Sequence, residues 1–209
     1  MSRMTQFALA AAVAASCLSS ASAQTFQGRL VDGTHSATCT VSGPNKCTMF
    51  FNPTLNITIL NNWNLGQGNW SATADSGSAQ ALAASAGLAA SGLAGWVLPT
   101  GNGNLAAGAQ NQYLSIWNDV GASFAGLNGQ FDGVQSEFYW SGTEDLPNPF
   151  SMWYFNPSSG YLGSAFLYYG WHAVAVRPGD VAPIPEPQTY AMLLAGLGAL
   201  MVAVRRRPR

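Results

Sequence analysis

Residues 190–204 form a run of 15 apolar and small residues that stops at Arg205-Arg206-Arg207-Pro208-Arg209. As a helix this run spans roughly 22 Å, short of the ~30 Å hydrocarbon core of a bilayer. It can hold a chain at a membrane briefly but makes a poor permanent anchor. Clustered arginines stay on the cytoplasmic side, which places everything before the run outside. The other end reads in the same direction. Arg3, an apolar stretch over 7–18 and the small residues Ala21-Ser22-Ala23 form a signal peptide, residues 1–23, with Gln24 as the first mature residue. Cys17 lies inside that stretch and is followed by Leu18-Ser19-Ser20, not by the context of a lipidated cysteine. Neither end belongs to the folded core. About 160 residues remain, enough for one domain with a real core, taken as 24–180, and 181–209 form the tail.

The tail has a further feature. Pro185-Glu186-Pro187 precedes the apolar run, and the arginines close it. Triplet, spacing, small-residue-rich helix and basic stop together resemble the PEP-CTERM sorting signal of Gram-negative bacteria. The resemblance implies recognition by an exosortase, removal of the tail, transient inner-membrane association, and delivery to the cell surface or the extracellular polymer matrix. The competing reading is a single-pass anchor that stays in place.

Charge narrows the partners. Between the ends, Arg29, Lys46 and Arg177 face Asp32, Asp75, Asp119, Asp132, Glu137, Glu144, Asp145 and Asp180, three cations against eight carboxylates and a net charge of −5. So acidic and cation-poor a surface argues against nucleic acid and anionic membranes. Gly, Asn, Ser and aromatic residues dominate instead, a composition suited to the extracellular space and short of acid–base groups.

Two cysteines survive maturation, Cys39 and Cys47. Export is oxidising, so they are expected to pair. The turn-forming Ser42-Gly43-Pro44-Asn45 between them predicts a hairpin stapled across its strands. Two cysteines with the distant His35 and His172 do not make a zinc set.

Segments 48–51 and 55–60 read as strands around the turn Asn52-Pro53-Thr54, and 61–71 as loop. An alanine-rich helix over about 78–90 is capped by Asp75 or Ser76 and closed by Ser91-Gly92. Its small side chains require close packing on another element. A second helix covers about 111–120, with Tyr113, Ile116, Trp117 and Val120 on one face at helical spacing. Beyond Gly121 the pattern turns to short aromatic strands at about 138–141, 152–156, 161–168 and 171–177. In the last, two alternating sets are both largely apolar, which predicts an interior strand. Strands, two helices and an antiparallel meander make an α+β order.

Several of these segments resemble one family. Asn52-Pro53-Thr54-Leu55-Asn56-Ile57-Thr58, Trp96-Val97-Leu98-Pro99-Thr100, Phe138-Tyr139-Trp140-Ser141-Gly142-Thr143-Glu144, Trp153-Tyr154-Phe155-Asn156 and Ala175-Val176-Arg177-Pro178-Gly179 look like successive elements of the Lcl C-terminal domain. That family is common in bacterial surface proteins. Val97 stands where it usually has arginine, and Gly142 where it has serine. The resemblance implies a C-type-lectin-like fold, a twisted antiparallel sheet with two helices, and suggests a glycan-binding adhesin module.

In Trp140-Ser141-Gly142-Thr143-Glu144, Trp140 reads as core, and Thr143 and Glu144 as bonding a turn backbone or, for Glu144, pairing with Arg177 in a structural ion pair. Asp132, Glu137, Glu144 and Asp145 lie close enough in sequence to imagine calcium, and Trp117-Asn118-Asp119 spells a lectin triplet. That triplet, and the faint likeness of Leu146-Pro147-Asn148 to a lectin Glu-Pro-Asn motif, are read as coincidence and the carboxylates as a solvated loop, so no metal and no cofactor are expected. The aromatic residues are the better candidates, because rings too numerous to bury all at once leave faces for sugars. Trp63, Trp70, Tyr154, Tyr161, Tyr168, Tyr169 and Trp171 are the rings in question, and of these Trp63, Trp70, Tyr161, Tyr168 and Tyr169 are the glycan-binding candidates. No nucleophile elbow, phosphate loop or reactive cysteine outside the 39–47 pair is present, so no catalytic set is expected. The sequence therefore reads as an exported, non-enzymatic surface or matrix protein that associates with exopolysaccharide. The alternatives are a purely structural biofilm component and a secreted hydrolase or modifying enzyme.

Overall fold

Asn52-Pro53 ends one run of β-forming residues, and Asn56 opens the next. The computed structural model describes residues 26–104 and 106–181. In it, β2 (Met49–Asn52) turns into β3 (Ile57–Leu60) with Phe51 opposite Thr58. Asn52 Oδ1 accepts the Thr54 and Leu55 N–H groups at 3.0 Å each, and Asn56 closes the turn at φ 50°. Asparagine suits both positions, because its short amide mimics a backbone turn and tolerates left-handed backbone. β1 (Gln27–Arg29) pairs with the outer side of β2, and β9 (Val176–Pro178) with the outer side of β3, giving a four-stranded antiparallel sheet.

A five-stranded sheet runs in the order β4 (Gln67–Gly68), β8 (Trp171–His172), β5 (Tyr139–Glu144), β6 (Ser151–Asn156), β7 (Tyr161–Phe166). The architecture is α+β. The sheet is mixed rather than the antiparallel meander expected, because β5 and β8 run parallel through Tyr139 and His172. The stretch 171–177 is not one strand. It leaves the five-stranded sheet at His172 and enters the four-stranded sheet at Val176. The alternation seen in the sequence serves this crossing. Val174 and Val176 enter one core with Phe50, Ile59, Tyr139 and Phe155, whereas Ala173 and Ala175 enter a second with Met49, Leu60, Trp140 and Met152.

Each core takes a helix. α1 (Ala79–Ser91) puts Ala79 and Ala83 into the second core beside Trp70, Trp96 and Trp140. The close approach demanded by its small residues is made to indole rings. A Cβ on Gly87 would lie 2.1 Å from Trp96, whose Nε1 donates to Ser91 Oγ at 2.9 Å. Ser78 is the cap, accepting the Ala81 N–H, rather than Asp75 or Ser76. Asp75 is engaged one turn earlier, where the Ser71 and Thr73 hydroxyls donate to its carboxylate and hold it below the usual carboxyl range. α2 (Gln112–Asp119) buries Tyr113, Ile116 and Trp117 in the first core as its spacing predicts. A third helix, α3 (Phe124–Gln130), follows where β structure was expected. Ser123 caps it, and Leu127 is its buried residue.

Cys39 and Cys47 are joined, with Cα atoms 5.1 Å apart. The segment between them is not a two-stranded hairpin. It is a tight loop with one bridge, in which Thr40 N–H donates to Asn45 and Cys47 N–H returns to Thr40. Gly28 makes room for the disulfide, since a Cβ there would meet Cys39 Sγ at 2.4 Å. Asn61, fully buried, donates to the Val41 and Cys47 carbonyls and ties this loop to the end of β3.

The signal peptide, the Pro185-Glu186-Pro187 motif and the short membrane-spanning helix expected from the sequence lie outside the described residues. Among the described residues, no helix is long and apolar enough to cross a membrane.

Candidate functional site

Sheet register assembles the most distinctive surface of this protein. Trp140 lies opposite Tyr154, and Tyr154 opposite Gly163, so these positions share one face of the five-stranded sheet. Gly163 leaves that face bare, and the neighbouring rings fill the space. A Cβ on it would lie 2.6 Å from the Tyr154 hydroxyl and 2.7 Å from Cε1 of Tyr161. From there the aromatic contacts run without a gap. Tyr161 meets Tyr154 at 6.3 Å between ring centroids, Tyr154 meets Trp171 at 4.6 Å, Trp171 stacks on Tyr169 at 5.4 Å, Tyr169 meets Tyr168 at 5.0 Å, and Tyr168 stacks on Phe166 at 5.6 Å. Phe138 braces the middle, 4.9 Å from Tyr154 and 5.0 Å from Trp171.

Tyr168 and Tyr161 are 66% and 59% exposed, and Phe166 and Tyr169 are also exposed, while Tyr154, Phe138 and Trp171 are half-buried. Burial, then the neighbouring Tyr161, raises the Tyr154 hydroxyl above its ordinary pKa. The Tyr154 hydroxyl is therefore neutral at ordinary pH. Stacked and edge-on rings of this kind each contribute about 0.5–1.5 kcal/mol beyond simple burial, which keeps the strip ordered without covering it.

The turn carrying Tyr168 and Tyr169 is fixed from beneath. Trp140 Nε1 donates to the Gly68 and Tyr169 carbonyls at 3.0 and 3.2 Å, and the Trp70 N–H donates to Leu167 at 2.8 Å. Trp70 Nε1 reaches the Ser141 carbonyl at 2.9 Å. This overturns Trp70 as a sugar platform. At 7% exposure its ring lies in the second core, under the strip rather than on it. Trp63 is likewise no platform: it is fully buried, stacked on Phe131 at 4.8 Å in the first core. Tyr161, Tyr168 and Tyr169 come together on the surface. Tyr154 and Trp171, among the rings singled out in the sequence, join them, together with Phe138 and Phe166, which are not.

The Glu144–Arg177 pair does not form. Glu144 ends β5 in one sheet, whereas Arg177 sits on β9 in the other and donates to the Ala94 and Pro178 carbonyls. The buried arginine is Arg29, 3% exposed, whose fork grips Asp180 at 2.8 and 2.6 Å. Trp140-Ser141-Gly142-Thr143-Glu144 instead secures the 98–101 segment. Gly142 N–H donates to Pro99, Thr143 Oγ1 accepts the Gly101 N–H, and Ser141 Oγ donates to the Gly101 carbonyl.

Other polar groups are engaged locally. Lys46 pairs with Asp132 at 2.6 Å, and Asp119 accepts from Asn52 at 2.8 Å. Gln67 Nε2 donates to Glu137 at 2.7 Å, and both stand close to Nε2 of the buried His172. Burial raises the hydroxyls of Tyr113 and Tyr139 well above their ordinary pKa. Among the described residues, no three His, Cys, Asp or Glu side chains converge in a set able to hold a metal. A cleft of about 440 Å³ opens beside the disulfide, lined by Phe26, Gly28, Cys39 and Asp119 among others. It presents no convergent set of unengaged polar groups.

Residues 183–207 match the family model of the PEP-CTERM protein-sorting motif, which includes Pro185, Glu186 and Pro187. No curated protein matches the chain. The motif indicates an exported protein processed by an exosortase.

Proposed function

We propose that this protein works outside the cell, at the surface or in the polymer matrix, and that its domain associates with exopolysaccharide through the aromatic strip without catalysing a reaction. The observation that carries the reading is the unbroken run of six rings from Tyr161 to Phe166 across the five-stranded sheet and the turn after β7, braced by Phe138, with four of the six exposed. The C–H faces of a pyranose are apolar and weakly positive, and they stack on the negative faces of aromatic rings. Protein–carbohydrate contact of this kind needs rings fixed in advance, and the Trp140 and Trp70 hydrogen bonds beneath the turn supply that fixation. Exosortase processing and a transient stay at the inner membrane accord with the sorting motif.

The test is co-sedimentation of the exported protein with exopolysaccharide from the producing bacterium. Wild type is expected in the polymer pellet, and Tyr168→Ala/Tyr169→Ala in the supernatant with its fold intact by circular dichroism. Equal partition of both proteins would refute the strip as the contact.

A further inference from the structure

The folded domain and the sorting motif abut. Val181 is buried in the second core, and the matched motif begins at residue 183, so Ala182 alone stands between them. The three residues 179–181 are each fastened by a different interaction. Gly179, at φ 78°, turns the chain out of β9; its N–H donates to the Asn56 carbonyl and its own carbonyl accepts the Thr58 hydroxyl, both at 2.8 Å. Asp180 sits in the fork of Arg29 at 2.8 and 2.6 Å. Val181 is held by burial. Register puts Gln27, Phe51 and Thr58 on one face of the four-stranded sheet. The Arg29 side chain shares that face, its Cζ 5.4 Å from the Phe51 ring centroid. Residues 179–181 are thus strapped to this face.

The strap limits reach. At no more than about 3.6 Å per residue, Pro185 lies within about 14 Å of Val181 whatever the conformation between them. A domain of this size has a radius of gyration of about 15 Å, so an enzyme that holds the motif meets the domain as well. We infer that the strapped face of the four-stranded sheet bears against the exosortase during processing, and that the strap holds the motif back from the enzyme. Cutting a chain requires it extended on both sides of the bond cut, and the strap withholds the N-terminal side. Freeing 179–181 moves the anchor back to Pro178 and lengthens the reach to Pro185 to about 25 Å. Such an opening at the end of a domain leaves the rest folded. The inference rests on the sorting motif and is independent of the aromatic strip and its ligand.

The test is a pulse–chase of the full chain in the producing bacterium, reading the half-time for loss of the tail. An insertion of about ten glycine and serine residues after Ala182 adds about 17 Å of mean reach and leaves the domain untouched. The insertion and Arg29→Ala are each expected to shorten the half-time about tenfold, the factor by which losing one charge-assisted hydrogen-bonded pair raises the open fraction. Cys39→Ser/Cys47→Ser lowers the stability of the whole domain but leaves the strap in place, and is expected to keep the wild-type half-time. A wild-type or longer half-time for the insertion would overturn the inference. Equal acceleration of Arg29→Ala and the disulfide variant would also overturn it, by tracing the rate to global stability.

Discussion

The two sheets of this domain are held together by different chemistry. Around the four-stranded sheet lie the disulfide, the buried Arg29–Asp180 fork and the Lys46–Asp132 pair. Around the outer edge of the five-stranded sheet lie rings packed on rings, with no lysine or arginine on any of its strands. One region is stapled by covalent and ionic links that face inward or face each other. The other reaches order by stacking and leaves its aromatic faces open. The contrast separates a part held by covalent and ionic links from a part that leaves aromatic faces exposed, the surface proposed above for contact.

The largest effect expected on the stapled side comes from Arg29→Ala. It leaves Asp180 facing the domain without its main partner, a loss of about 3 kcal/mol read by denaturant unfolding. Cys39→Ser/Cys47→Ser removes a short covalent loop and should lower stability by about 2.5 kcal/mol in the same measurement. In both variants, whatever protein remains folded should keep its affinity for polysaccharide. Gly163→Val crosses the divide. Its side chain occupies the space of Tyr154 and Tyr161, so about 2 kcal/mol of stability and most of the polymer binding should go together.

A smaller contrast appears at alkaline pH. Tyr113 and Tyr139 are buried with folded pKa values raised well above the 10.0 of an unfolded tyrosine. The unfolded chain therefore loses these protons first, so the stability they carry is complete below pH 10 and declines as pH rises beyond it. Tyrosinate absorbance should show Tyr113 and Tyr139 ionising only with unfolding. Ionisation of Tyr113 and Tyr139 below the unfolding transition would contradict the burial. The smallest effect on stability belongs to Tyr168→Ala, within about 0.5 kcal/mol for so exposed a side chain, although it should weaken polymer binding severalfold.

Sequence reasoning reached the parts governed by local rules. The Asn52-Pro53 turn, the Tyr113-Ile116-Trp117 face and the pairing of Cys39 with Cys47 each follow from short-range chemistry. It missed α3, because a seven-residue helix containing Gly126 and Gly129 has weak propensity and is held by its Ser123 cap and by Leu127 in the core. It joined β8 to β9, because two apolar alternating sets look like one interior strand whether they serve one sheet or cross between two. The candidate site was legible in kind but not in membership. An excess of aromatic residues is visible in the composition, yet burial divides them: Trp63 and Trp70 went to the cores, while Phe138 and Phe166, not singled out in the sequence, joined the surface strip. Arg29 rather than Arg177 carries the buried ion pair, and with three cations and eight carboxylates nothing in the chain's order singles it out.

The account rests on the aromatic strip being the contact surface for polysaccharide. The most direct measurement is an aromatic-region NMR titration of the exported protein with fragments of a neutral polysaccharide. The account predicts shifts confined to Phe138, Tyr154, Tyr161, Phe166, Tyr168, Tyr169 and Trp171, with the buried Trp63 and Phe131 unmoved. Shifts centred instead on Phe26 and Phe50, in the cleft beside the disulfide, would contradict it.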